Sequence, residues 1–95
     1  MMINPEYAMP ILTLSNSLNK RNIPHTVNVI WDGLQIRFPW NGGDIICHSG
    51  SFGHEYGDVE SMGCPWDDDE SGGVTCLPVD VTEELITDWW AEVGD

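Results

Sequence analysis

The sequence predicts an α+β fold, and three observations lead to it. A helical stripe lies near the N-terminus, residues alternate between glycine turns from 26 to 48, and an amphipathic helix ends the chain. Tyr7, Ile11, Leu14 and Leu18 are spaced 4, 3 and 4 apart, which sets them along one side of a helix. The expected helix runs from about Pro10 to Arg21, with Pro10 in its first turn, Lys20 and Arg21 at its negative end, and Asn22 and Pro24 stopping it.

Val27, Val29 and Trp31 alternate with Thr26, Asn28 and Ile30. Asp32-Gly33 follows, and then Leu34, Ile36 and Phe38 alternate with Gln35 and Arg37. Strand, Asp-Gly, strand is a strong hairpin signal. Asn41-Gly42-Gly43 makes a second turn, and Asp44 to His48 reads as a third strand, completing a meander over 26–48. Pro39 falls at a strand end, where a missing ladder donor matters least. Residues 49–58 are turn-rich and carry no assignment; Val59 to Met62 reads as a fourth strand and Val74 to Leu77 as an edge strand. The antiparallel sheet therefore has three to five strands.

In the last segment Asp80 is placed to cap a helix and Glu83 follows at capping-box spacing. Val81, Leu85, Ile86, Trp89 and Val93 share one face, and Glu84, Asp88 and Glu92 recur at every fourth position on the other. A C-terminal helix from about Val81 to Val93 should pack on the sheet. Trp89, Leu85, Ile86, Val29, Ile36 and Ile45 are the expected core.

Ninety-five residues suffice for one domain, 1–95, with a modest core. An apolar fraction of 41% and five tryptophans argue for folding, although a net charge of −13 alone would suggest disorder. The charge is unevenly placed. No Lys or Arg follows Arg37, and residues 38–95 hold 14 of the 16 acids. Such a field repels nucleic acid and anionic membranes and attracts basic surfaces. The N-terminus lacks the basic and apolar regions of a signal peptide, and Cys47, Cys64 and Cys76 are odd in number, so reduced thiols in a cytoplasm are expected.

No catalytic motif is present, and the chain is read as a non-enzyme needing no cofactor. Cys47 and His48 are neighbours that would point to opposite faces of a strand, which separates a nucleophile from its base. The cysteines and histidines lack the paired spacing of a zinc clamp. The charge centre is Cys64-Pro65-Trp66-Asp67-Asp68-Asp69-Glu70-Ser71-Gly72-Gly73. Asp67, Asp69, Ser71 and Gly72 match the start of an EF-hand loop, but its twelfth position is Pro78, which supplies no bidentate carboxylate. A calcium module built on residues 67–72 is the alternative to a partner-binding surface, and a plain acidic accessory protein is a further one.

The stronger pattern is distributed over Asp67, Asp68, Asp69 and Glu70 in a loop, Glu84, Asp88 and Glu92 on a helix, and Asp58 and Glu60 at period two on a strand. Carboxylates at every fourth helical position are about 6 Å apart along the axis, comparable with the ~3.4 Å advance of phosphates along a DNA strand. Like charges at that spacing cost helix stability, a cost that a basic partner would offset. Trp66 beside these acids is a candidate interface anchor.

The segments Trp31-Asp32-Gly33-Leu34-Gln35-Ile36-Arg37-Phe38-Pro39-Trp40 and Cys64-Pro65-Trp66-Asp67-Asp68-Asp69 give the chain the style of small acidic proteins of bacteriophages and mobile elements. Over residues 25–90 it resembles that class, several members of which are anti-CRISPR inhibitors or other nucleic-acid mimics. The resemblance implies an inhibitor that occupies the basic nucleic-acid-binding surface of a CRISPR effector nuclease inside a bacterial host cell. It carries over no individual residues.

Overall fold

The computed structural model describes residues 2–67 and 73–94. Its order is α1 (Pro5–Lys20), β1 (Thr26–Ile30), β2 (Gly33–Arg37), β3 (Asp44–Cys47), a 3₁₀ turn (His54–Tyr56), β4 (Val59–Met62), β5 (Val74–Leu77) and α2 (Val79–Val93). This is the α+β arrangement that the sequence predicts, with five strands in one antiparallel sheet ordered β1-β2-β3-β4-β5. No helix among the described residues is long and apolar enough to cross a membrane.

Helix α1 begins five residues earlier than expected. Asn4 caps it, its Oδ1 accepting from the Glu6 amide at 3.0 Å, and Pro5 occupies the first helical position, where a missing N–H costs nothing. Pro10 consequently lies inside the helix and removes the bond that would reach the Glu6 carbonyl, an exposed group that water can serve. The Asn4 amide donates to the Asp32 carbonyl at 2.7 Å, so the helix start is tied to the β1–β2 turn. At the other end Asn22 takes the left-handed conformation (φ 59°), and the Ile23 amide donates back to the Leu18 carbonyl at 3.0 Å.

The hairpin turn also sits one residue earlier than expected. Gly33 is already paired with Ile30, leaving Trp31 and Asp32 as the turn, with Trp31 at φ 53°. The reason is a close approach. A Cβ on residue 33 would lie 1.8 Å from the Cys47 carbonyl oxygen, so the glycine is needed in the strand and the larger residue takes the bend.

Paired residues of an antiparallel ladder share a face. Val27, Ile36, Ile45, Ser61 and Thr75 form one cross-strand row on the helix side, and Asn28, Gln35, Ile46, Glu60 and Cys76 form one on the other. Helix α1 packs over β2 and β3 and against α2. The core gathers Ile11, Leu14, Leu18, Ile36, Ile45 and Ile86, all fully buried, with Trp89 6% exposed. Two expected core residues lie elsewhere. Val29 has the right facing, but β1 is an edge strand beyond the cover of α1, and the side chain is 65% exposed. Leu85 is only half-buried, at the margin of α2.

Asp80 is not the cap of α2. The helix starts at Val79 with Pro78 as its capping residue and no side-chain cap, which places Asp80 in the first turn. Val79 packs against the core and draws the start inward, while Thr82 is buried and donates its hydroxyl to the Pro78 carbonyl at 2.9 Å.

These placements give unequal expectations for two aliphatic positions. Ile45→Ala should lower unfolding free energy by about 2–5 kcal/mol, whereas Val29→Thr should stay within about 0.5 kcal/mol of the parent. Urea titration of both variants checks the pair, and a large loss at Val29 would contradict its edge position.

An acidic helix face beside a tryptophan groove

The ten partner-binding residues expected from sequence divide into separate groups in space. Asp68, Asp69 and Glu70, with Ser71 of the calcium alternative, lie outside the described residues. Asp67 is described, and its carboxylate is turned into the protein. Oδ1 accepts from the Ser61 hydroxyl at 2.7 Å, and Oδ2 accepts from the Cys64 amide at 2.9 Å. The Trp66 indole N–H donates to the same Ser61 oxygen at 2.8 Å. Ser61 is 3% exposed, so a buried relay from Trp66 through Ser61 to Asp67 fixes the base of the acidic loop.

Glu60 is equally committed. It is 8% exposed on the sheet face away from the helices, where Oε1 accepts from the Phe52 amide at 3.3 Å. Asp58 is half-buried just before β4, and its own amide donates to the Gly53 carbonyl. Of this period-two pair, the Glu60 carboxylate serves the folding of the 48–58 segment over the sheet, whereas Asp58 bonds that segment through its backbone amide.

The α2 residues are exposed as their spacing predicts. Glu84 lies 3.6 Å from the Arg21 guanidinium, which also bridges Glu83 at 2.9 Å and fastens α2 to the end of α1. Asp88 and Glu92 form no ion pair among the described residues. They stand on the rim of a groove of about 230 Å³ whose other lining residues are Pro65, Trp66, Leu85 and Trp89. Tertiary packing thus joins Trp66, Asp88 and Glu92. Sequence reasoning missed Pro65, Leu85 and Trp89 as groove residues because the helical pattern assigns Leu85 and Trp89 wholly to the core.

Aromatic packing shapes this groove. Trp89 meets Phe38, Trp40 and Trp66 at centroid distances of 5.4, 4.6 and 5.6 Å, all edge-on, and Trp90 lies 5.0 Å from Trp40. Offset and perpendicular contacts of this kind favour ring quadrupoles. Gly43 makes room beneath them, since a Cβ there would come within 3.1 Å of the Trp89 ring and 2.8 Å of the Cys64 sulfur.

The remaining chemistry-bearing side chains are engaged locally. Cys47 and Cys64 are buried and Cys76 is half-buried, all as free thiols. Burial pushes Cys47 up to about 11, and burial with the nearby Asp67 charge pushes Cys64 further in the same direction. Cys76 is raised by burial and then by Asp58, Glu60 and Glu55. Reactive cysteines need the opposite shift. The His25 ring bonds the Ser15 hydroxyl and the Ile23 carbonyl, and His48 Nδ1 accepts from the Gly50 amide while its ring lies 4.7 Å from Trp31. Hydrogen bonding also lowers the Asp32 carboxyl, whose Oδ1 accepts from the Ser49 amide at 3.0 Å.

Two measurements follow from this geometry. Asp67→Ala leaves the Cys64 amide without its acceptor and the Ser61 hydroxyl with only the Thr75 carbonyl at 3.4 Å, and should cost about 1–3 kcal/mol in urea unfolding, whereas Asp88→Asn should change stability by less than about 0.5 kcal/mol. The second concerns alkali. Folded Cys47 keeps its proton to about pH 11, while an ordinary thiol loses it near 9.0, so its stabilising contribution is whole below about pH 9 and is lost as pH rises towards 11. Stability should fall over that window, and less steeply in Cys47→Ala.

No protein-family model, curated protein or solved structure matches this chain.

Proposed function

We propose that the chain is a non-enzymatic inhibitor that docks its acidic face on a basic nucleic-acid-binding surface, that of a CRISPR effector nuclease in a bacterial cytoplasm. The observation that carries this reading is the exposed row of Glu84, Asp88 and Glu92 on α2, two of whose three carboxylates form no ion pair among the described residues. The row is repulsive in isolation and becomes favourable against Arg and Lys.

The distribution of charge along the chain reinforces it. The strands lie in chain order, with β1 and β2 at one side of the sheet and β4 and β5 at the other. Residues 26–43 carry only Asp32 and Arg37 and are neutral together, whereas residues 58–94 carry eleven acids and no Lys or Arg. The exposed carboxylates of α2 present negative charge that can steer the chain onto a cationic channel.

The test is competition. A panel of purified CRISPR effector nucleases is assayed for target DNA binding with the chain and with Glu84→Gln/Asp88→Asn/Glu92→Gln. At least one nuclease should lose DNA binding, the effect should fade between ~50 mM and ~500 mM salt, and the triple variant should act at least ~10-fold more weakly. If no nuclease is inhibited, or the variant is equally potent, the reading fails.

A further inference from the structure

We propose that the groove between Trp66 and α2 is a binding site for a single arginine side chain presented by a protein partner. The proposal rests on the docking reading above for the kind of partner, and on the groove for the ligand. At about 230 Å³ the groove lies below the ~300–1,000 Å³ of small-molecule pockets and suits one long side chain. The Trp66 and Trp89 rings stand at 90° to one another and make an apolar corner, which Pro65 and Leu85 extend.

The rim supplies the charge. Asp88 and Glu92 are about one helical turn apart on the same side of α2. Both are exposed and without an ion-pair partner among the described residues. The Trp66 N–H is already given to Ser61, so that wall presents carbon rather than a donor for an anion. Aromatic walls with an acidic rim complement a flat, weakly hydrated cation that can stack on an indole and donate to two carboxylates at once. That is the guanidinium group. Lysine has the charge but holds its water more tightly and lacks the planar fork. An apolar side chain would fill the corner and leave the rim without a counter-charge.

The relay that holds Trp66 and Asp67 on the buried Ser61 gives the site a fixed shape before any partner arrives. Holding the wall in place reduces the ordering cost of capture. Arg21 cannot serve as an internal occupant, because it is engaged with Glu83 and Glu84 nearer the start of α2.

The experiment titrates the full chain with acetyl-Gly-Arg-Gly-amide and follows the indole N–H resonances by NMR. The lysine and citrulline counterparts are run alongside; citrulline keeps the shape and loses the charge. The expected result is a saturable shift of the Trp66 and Trp89 signals, with half-saturation in the ~1–10 mM range appropriate to one side chain. The lysine peptide should bind at least ~5-fold more weakly, and the citrulline peptide should give no saturable shift. Asp88→Asn/Glu92→Gln, which should melt no lower than the parent because both groups are exposed and their mutual repulsion is relieved, should lose at least ~10-fold in affinity. Equal binding of the citrulline peptide, undiminished binding by the double variant, or no shift with arginine would overturn the proposal. Arginine capture in a chain that inhibits no nuclease upholds the groove and defeats only the docking reading; inhibition without arginine capture defeats the groove alone.

Discussion

The position of Trp89 is the constraint on which the acidic end of this molecule depends. One indole from α2 touches Phe38 and Trp40 after β2 and Trp66 after β4, so two segments distant in sequence converge on it. Burial of such a ring contributes on the order of 2–3 kcal/mol, and the edge-on contacts add to that. More important for function is what the contact orients. With Trp89 inward, the helical repeat turns Asp88 and Glu92 to the rim of the groove and Glu84 towards the end of α1. The acidic face is thereby a consequence of core packing.

A second constraint acts at the loop base. The Trp66–Ser61–Asp67 relay uses one buried hydroxyl as acceptor for an indole and donor to a carboxylate. Each partner satisfies another that could not otherwise be buried. Asp67 belongs to the conspicuous acidic run, yet its role is to hold the start of that run against β4. Glu60 shows the same distinction on the opposite sheet face, where its carboxylate receives the Phe52 amide. Acidic residues in this chain therefore have two roles, anchoring loops internally and presenting charge outward. Composition alone does not separate them.

Charge segregation arises from an unusually direct mapping of sequence onto space. In a meander with no crossover, distance along the chain becomes distance across the sheet. The absence of basic residues after Arg37 thus leaves a β1 edge without charged side chains, including the exposed Val27 and Val29, and a helix α2 whose exposed acids have no basic residue within their own segment. Self-repulsion along that helix is a cost to the folded state. Among the described residues, pairing of a Lys or Arg with a carboxylate is limited to Arg21 with Glu83 and Glu84, and the His54 ring lies 3.2 Å from the Glu55 carboxylate.

By itself the sequence determined the class of the fold, because hydrophobic periodicity and turn residues are local properties. The helical stripe, the Val59–Met62 and Val74–Leu77 strands and the acidic row of α2 all read directly from spacing. Tertiary structure decided what periodicity does not encode. Gly33 entered the strand because the Cys47 carbonyl lies against it, and Val29 stayed exposed because α1 covers β2 and β3 but not the edge. Asp67 and Glu60 turned inward because Ser61 and Phe52 offered donors from elsewhere in the chain. The groove exists only where residues 65 and 66 meet residues 85–92, a long-range contact set by the packing of Trp66 on Trp89.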